Sequence, residues 1–184
     1  MASQPPNPTV TFAPLPQAPG RSCGECSLCC KLYDVTELEK PKGIWCKHCT
    51  PGKGCGIHAS APQTCRIFNC LWLADAQFPA DWRPDRSKFV LTVVPGSNHV
   101  RGQVDPAGRH IWQQKPYIEG LRSLAQRLLE QQKLLVMYVD LDATVVTPDG
   151  PLPVGRIHEG ETMRVEQVAG PRGPEWRAHK VASV

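Results

Sequence analysis

The stretch Cys23-Gly-Glu-Cys26-Ser-Leu-Cys29-Cys30 opens a segment that contains every cysteine of this 184-residue chain. The other five of the nine cysteines are Cys46, Cys49, Cys55, Cys65 and Cys70. Two thiolates separated by two residues can point inward from one tight turn and bind the same ion. The spacing therefore predicts that all nine cysteines are metal ligands and that the segment is built around metal.

The number of candidate ligands exceeds what one closed site can use. A tetrahedral site takes four ligands, so a single site would leave five of the nine cysteines without a metal. Two sites, or one multinuclear site, fit the count better. Cys29 and Cys30 are adjacent, so we expect their side chains to diverge and either to serve two ions or to bridge one cluster.

Other residue types in the segment are candidates for supporting roles. His48 and His58 are possible ligands, with a solvated loop residue as the alternative for His48 and a loop-orienting hydrogen bond as the alternative for His58. Trp45 and Trp72 flank cysteines. We expect these two rings to shield the site with apolar surface.

The identity of the metal stays open between zinc and iron. Structural zinc sites use paired Cys-x-x-Cys spacing. Cys23, Cys26 and Cys29 also match the start of a bacterial ferredoxin run, although the usual x3-Cys-Pro member is missing here. Soft thiolates alone do not separate zinc from an iron–sulfur cluster, or either from copper(I).

The order of these residues resembles the CxxCxxCC family, also called the YkgJ-type cysteine-cluster family of zinc- or iron-chelating proteins. The resemblance covers about residues 23 to 73 and rests on Cys23-x2-Cys26-x2-Cys29-Cys30, Trp45-Cys46-x2-Cys49, Gly54-Cys55-Gly-Ile-His58 and Pro62-x2-Cys65-Arg66-x-Phe68-x-Cys70-x-Trp72. It implies metal chelation with the cysteines as ligands. A flagellin lysine methylase carries a related cluster, which leaves an enzymatic role open.

One position departs from the pattern of that family. The family usually has Arg-Pro where this chain has Ala61-Pro62. The arginine's contact near the metal is therefore in doubt here, and Arg66 is the residue that could replace it.

Composition and charge narrow the class of protein. The chain is 41% hydrophobic and 21% charged, with no apolar run long enough to span a bilayer. We see no secretory signal, and we expect a cytoplasmic protein whose thiols stay reduced. Eight thiolates around two divalent ions would bring the formal charge of +4 to about zero, which disfavours a nucleic-acid partner.

The chain divides into three parts by composition. Residues 1–20 hold six prolines and predict a disordered tail, residues 21–75 form the cysteine region, and residues 76–184 form a small α+β domain with mainly antiparallel strands. We predict little regular secondary structure in the cysteine region, with a short helix or strand over residues 35–39, and a connection over residues 76–87. Periodicity then predicts a helix over residues 117–132 and strands over 88–94, 99–105, 134–141, 143–147, 161–168 and 176–181, the last closing the sheet.

Three hypotheses about function follow. The first is a metal-binding protein whose zinc or iron is structural or is handled for delivery, with metal ions and an unidentified protein client as partners. The second is an iron–sulfur protein with a redox or accessory enzymatic role, and the third, disfavoured by the scattered basic residues, is a zinc-dependent nucleic-acid-binding module. Asp140 and Asp142 are expected in a solvated turn, and no complete catalytic set is evident, which favours a protein without catalysis.

Overall fold

A computed structural model of the protein describes residues 15–97, 99–171 and 173–182. The predicted proline-rich tail therefore lies outside the described residues up to residue 14. Its described end is attached to the folded body, because Ala18 is buried and its N–H donates to the carbonyl of Leu73 at 3.0 Å.

The cysteine region is made of short elements, as predicted. They are the helices α1 (Cys29–Leu32), α2 (Gln63–Ile67) and α3 (Leu71–Ala74), the strands β1 (Cys49–Thr50) and β2 (Gly54–Cys55), and the 3-10 helices Thr36–Leu38 and His58–Ser60. The segment expected as a short helix or strand is the first of these 3-10 turns, closed by a bridge between Val35 and Lys40. No element in this region exceeds five residues among those described.

The predicted connection contains two helical turns of its own. They are the 3-10 helix Ala80–Trp82 and the helix α4 (Pro84–Ser87), with Pro84 at its first turn. Trp82 is only 6% exposed and contacts the rings of Phe78 and Phe89. The segment therefore contributes to the core, which its prolines and charges did not indicate.

A five-stranded sheet forms the body of the molecule. Its strands are β3 (Phe89–Val93), β4 (Val100–Val104), β5 (Leu135–Val139), β6 (Asp142–Thr147) and β7 (Gly150–Arg156), in that spatial order. All neighbours are antiparallel except β4 and β5, which are parallel. The parallel pair requires a crossover, and the helix α5 (Tyr117–Leu129) lies in it, after the 3-10 helices Pro106–Gly108 and Ile111–Gln113.

One face of the sheet packs against α5. Because strand side chains alternate between faces, Phe89, Leu91, Leu135 and Met137 all point to this side. They pack with Leu121 of α5 in one core cluster, and each of these five side chains is at most 4% exposed. The predicted helix and the predicted strands of this body are thus confirmed, with helix and strand ends shifted by at most a few residues.

Strand β7 has no counterpart among the predicted elements. It contains Pro151 and Pro153, and a proline cannot donate a hydrogen bond to a ladder. The strand tolerates them because it lies at the edge of the sheet, paired only with β6. Because of its prolines, the sequence of this edge strand resembles that of a turn.

The last two strands form a separate hairpin. Strands β8 (Glu161–Gly170) and β9 (Gly173–Ala182) pair with each other in a two-stranded antiparallel ladder. The strand predicted over residues 176–181 exists, but the expectation that it closes the main sheet is wrong. The hairpin packs its apolar side chains on the face of the sheet opposite α5, against Val136 and Val145.

The cysteine region covers that same opposite face at the other edge of the sheet. Val90 of β3 is fully buried there beside Leu28, Leu32 and Leu73. Lys31 of α1 also forms an ion pair with Asp105, which follows β4, at 2.7 Å between Nζ and Oδ1. The sheet therefore supports the cysteine region through apolar contacts and through this ion pair.

No helix among the described residues has the length and apolar character needed to cross a bilayer.

Candidate metal centre

The cysteines surround one cavity of about 420 Å³. All nine are free thiols, and eight of them line the cavity: Cys23, Cys26, Cys29, Cys30, Cys46, Cys55, Cys65 and Cys70. Cys49 is the ninth. Cys46 and Cys70 are buried and the other seven are partly exposed. The structure thus brings together residues that are spread over the whole of the segment.

The first cysteine motif forms a tight turn. The N–H of Cys26 donates to the carbonyl of Cys23 at 2.8 Å. The turn lies directly against the β1–β2 ladder, because a Cβ added to Gly54 would lie 2.6 Å from the carbonyl oxygen of Gly24. Gly54 has a φ of +96°, so both its backbone angle and the space around it favour glycine. This close approach positions the first turn beside the second motif.

The second motif is tied to α1 by backbone hydrogen bonds. The N–H of Cys46 donates to the carbonyl of Cys30 at 3.0 Å, and the N–H of Cys49 donates to Cys46 at 3.0 Å. Cys49 and Cys55 are direct partners across the β1–β2 ladder. The sequence spacing alone did not indicate this ladder, since each strand has only two residues.

The last two cysteines lie on and next to short helices. Cys65 is in α2, and Cys70 is the residue before α3. Cys70 packs among Leu28, Leu32 and Leu73. It is therefore the cysteine most closely attached to the sheet-facing side of the region.

The thiols do not form a finished coordination shell. Among the described residues, no three Cys, His, Asp or Glu side chains are placed so that they could hold one metal ion. Cys30 nevertheless accepts hydrogen bonds from the thiols of Cys29 and Cys49. The thiols of the adjacent pair Cys29 and Cys30 therefore interact with each other, and Cys29 also packs against the apolar cluster of Leu28, Leu32 and Leu73.

Most of the thiols have raised pKa values. Burial raises the pKa of Cys26, Cys49 and Cys65 to about 11 and that of Cys70 to about 12. Burial also raises the pKa of Cys23. These groups are protonated at neutral pH, so a metal that binds them must displace protons.

The pKa of Cys30 shifts in the opposite direction. The hydrogen bond from Cys29 is the main factor that lowers the pKa of Cys30 to about 6, and the bond from Cys49 and the charge of Lys40 act in the same direction. The same Cys29–Cys30 bond raises the pKa of Cys29 well above its usual value, with burial as the second cause. A metal that binds Cys30 at neutral pH therefore displaces little proton from this thiol.

Lys40 is a functional candidate that the sequence did not reveal. Only 6% of this residue is exposed, and its Nζ donates to the carbonyl of Lys31 at 2.9 Å and to that of Tyr33. Burial lowers its pKa, while the nearby thiols of Cys30 and Cys46 favour its charged form. A lysine before a proline in a loop carries no sequence signal for such a position.

A second missed feature lies at α4. Arg83 binds the carboxylate of Asp85 through Nε and Nη2, both at 2.7 Å. The backbone amide of Asp85 hydrogen-bonds to the Cys26 sulfur, which lowers the pKa of Cys26 against the larger effect of burial. The segment that we expected to be a plain connection therefore supplies part of the surroundings of one cysteine.

The remaining candidate residues differ in whether they line the cavity. His58, Arg66 and Trp72 line the cavity, and Arg66 is exposed. His48 and Trp45 are not among the lining residues, and Trp45 is 38% exposed. The guanidinium of Arg21 lies 4.4 Å from the ring centre of Trp72. The position of Trp72 fits the expected shielding role, whereas that of Trp45 does not.

Comparisons of the chain with models of protein families, with curated proteins and with solved structures give no match. The likeness to the CxxCxxCC family therefore rests on the motifs of the sequence.

Proposed function

We propose that this protein is a cytoplasmic metal-binding protein of the CxxCxxCC type, which holds zinc or iron through its cysteine thiolates. The observation that carries the proposal is that eight of nine free cysteines, from loops, helices and a strand, line one cavity of about 420 Å³. Free thiols at this density suit thiophilic metals. In the reducing cytosol, clustered cysteines are more often metal ligands than disulfides.

The metal would stabilise the cysteine region. The short elements there bury few side chains besides Leu28, Leu32, Tyr33 and Leu73. Metal–thiolate bonds would then supply folding free energy that this small apolar cluster lacks. Because no three ligands already converge, binding would draw the thiols inward across the cavity. The loops that carry them are short and glycine-punctuated, which allows this movement.

The cavity's surroundings suit a negatively charged centre. Metal-bound thiols are thiolates, and four of them around one divalent ion leave a net negative charge. The buried Lys40 interacts electrostatically with Cys30 and Cys46 and would offset part of that charge. Seven cysteines are partly exposed, so the metal would be reachable from solvent and able to exchange with a protein client.

An iron–sulfur protein with an accessory role in an enzymatic reaction is the second candidate. The contact of Cys30 with two other thiols supports it, since neighbouring sulfurs can serve a multinuclear centre. The test is an anaerobic preparation of the full chain, examined by elemental analysis and visible absorption. We expect about two zinc ions per chain and no colour.

A brown protein with iron and acid-labile sulfide would establish the second candidate instead. A preparation that binds neither metal, with its thiols reduced, would overturn the proposed function. Magnesium added to the metal-free chain in place of zinc serves as a control, because this hard ion prefers oxygen ligands.

A further inference from the structure

We propose that the nine cysteines form two donor sets that meet at Cys29 and Cys30 and that each set binds one thiophilic ion. The sheet-side set is Cys23, Cys26, Cys29 and Cys70. The ladder-side set is Cys30, Cys46, Cys49, Cys55 and Cys65. This inference rests on the proposed function, which names the metal but not how the ligands are shared.

The sheet-side set is defined by packing. Cys70 is buried in the apolar cluster that contains Val90 of β3, and both Cys23 and Cys29 pack against that cluster. Cys26 joins them because its N–H is bonded to the carbonyl of Cys23 at 2.8 Å. The thiols of Cys23 and Cys26 also act electrostatically on Cys70, and Cys30 of the other set acts on Cys23. Four thiols are the number that a closed tetrahedral site takes.

The ladder-side set is defined by backbone geometry. The N–H of Cys46 donates a hydrogen bond to the carbonyl of Cys30, and the N–H of Cys49 donates one to the carbonyl of Cys46, both at 3.0 Å. Cys49 then pairs with Cys55 across the β1–β2 ladder. Cys65 completes the set, because its thiol interacts with those of Cys30, Cys46 and Cys55.

The two sets touch at adjacent residues of α1. Cys29 packs with the sheet-side cluster, whereas Cys30 accepts a hydrogen bond from Cys49 of the ladder-side set. The thiols of Cys29 and Cys30 are themselves hydrogen-bonded. Two ions bound in this way would be close neighbours in one cavity, and one residue pair would link their ligand shells.

The internal cation acts unequally on the two sets. Four thiolates around a divalent ion carry a formal charge of about −2, and the ladder-side set holds one thiol more than a tetrahedral site takes. The charge of the buried Lys40 acts most strongly on Cys30 and Cys46 of the ladder-side set and less on Cys29 of the sheet-side set. The internal cation therefore acts mainly on the ladder-side set.

The experiment compares two matched double variants of the full chain, purified with Zn²⁺. Cys23→Ala with Cys26→Ala removes half of the sheet-side set, and Cys55→Ala with Cys65→Ala removes the same number from the ladder-side set. All four residues are partly exposed, and Cys23 is the one of them that also packs against the apolar cluster around Val90. Native mass spectrometry counts the ions, and circular dichroism reports whether the sheet remains folded.

We expect about two zinc ions in the wild type and about one in each folded double variant. Loss of both ions in either folded variant would mean one cooperative centre and would overturn the division. Retention of both ions in the variants would overturn it as well. A wild type that binds neither zinc nor iron would instead overturn the proposed function, so the two failures are distinguishable.

A measurement on the wild type removes the dependence on variants. After exchange of zinc for ¹¹³Cd, each cadmium resonance couples to the β-protons of its own cysteine ligands. We expect two resonances, one coupled to the sheet-side set and one to the ladder-side set. A single resonance coupled to members of both sets would contradict the assignment.

Discussion

The cysteine region and the body formed by α5 and the five-stranded sheet are stabilised in different ways. In the body, regular elements bury large apolar side chains such as Phe89, Trp112 and Leu121, each at most 1% exposed. In the described part of the cysteine region, elements of at most five residues surround a cavity of about 420 Å³. We expect the body to fold through apolar burial alone and the cysteine region to depend on an additional source of free energy.

The two regions nevertheless share one strand. Phe89 and Leu91 of β3 point into the core under α5, and Val90 between them points into the cysteine region. The alternation of side chains along a strand makes both contacts possible. The body can therefore act as a fixed base on which the cysteine region folds. We expect the folding of the cysteine region to depend on the body more than the folding of the body depends on the cysteine region.

Removal of metal should separate the two regions most strongly. We expect chelation under reducing conditions to unfold residues 21–75 while the sheet remains folded, because structural zinc supplies roughly 10–16 kcal/mol in small metal-dependent domains. Amide hydrogen exchange measures this region by region. Loss of protection should include Cys46 and Leu32 but not Leu121 or Val145.

The control is the same chelator added to a sample with excess Zn²⁺, which should keep its protection. An unchanged exchange pattern in a chain shown to be metal-free would contradict the idea that metal stabilises the cysteine region. Loss of protection throughout the molecule would instead show that the sheet does not remain folded when the cysteine region unfolds.

The substitution Gly120→Ala should weaken the body from within α5. Alanine favours a helix over glycine by about 1 kcal/mol, but the indole of Trp82 packs directly on Gly120 where the new methyl group would lie. Overpacking of this kind costs about 1–3 kcal/mol, so we expect a net loss of stability. Denaturant unfolding of the metal-loaded protein measures it.

Ser123→Ala on the exposed side of the same helix is the matched control. Its hydroxyl donates to the carbonyl of Glu119 at 3.0 Å, and its loss should change stability little. Zinc content should stay at the wild-type value in both variants if the body serves only as a base. A stabilising effect of Gly120→Ala would show that α5 shifts relative to Trp82 and makes room for the methyl group.

The sequence carries more information about the body than about the cysteine region. Periodicity predicted α5 and strands β3 to β6 because regular elements with one buried face impose a repeat on the sequence. Strand β7 was missed because Pro151 and Pro153 are compatible only with an edge, which is a property of the whole sheet.

In the cysteine region, the sequence predicted which residue types come together but not their arrangement. The grouping of Cys49 with Cys55 depends on a two-residue ladder, and that of Cys70 with Cys23 depends on packing over Val90. Loops carry no periodic signal for such contacts. The buried position of Lys40 was missed for the same reason, since it is set by two carbonyl groups near the end of α1.

The substitution Lys40→Met tests whether this internal cation supports the metal centre. Methionine keeps the apolar volume but removes the charge beside Cys30 and Cys46. We expect zinc affinity to fall by about 10- to 100-fold, the usual effect of losing a partner that supports metal ligands. Competition with a chromophoric chelator measures the affinity.

Lys42→Met is the matched control, two residues further along the same loop. Burial lowers the pKa of Lys42 as well, but its Nζ lies 3.4 Å from the carbonyl of Asp140 rather than beside the thiols. We expect its zinc affinity to match that of the wild type. Equal losses in both variants would show that loop packing, and not the charge near the thiolates, is responsible.

The smallest expected effect is a pH dependence confined to the body. Nδ1 of His99 accepts a hydrogen bond from the N–H of Leu134 at 3.2 Å, and burial lowers the pKa of His99. Protonation removes the acceptor, so the stabilising contribution is complete above the unfolded-state pKa of about 6.5 and is lost as the pH falls through the lower folded-state value. Its size should stay below about 1 kcal/mol.

His99→Gln should flatten this part of the pH profile of unfolding, whereas His58→Gln at the cavity should leave it in place. An identical profile in wild type and His99→Gln would mean that the bond to Leu134 contributes nothing, and a change in zinc content with His99→Gln would contradict the separation of the two regions.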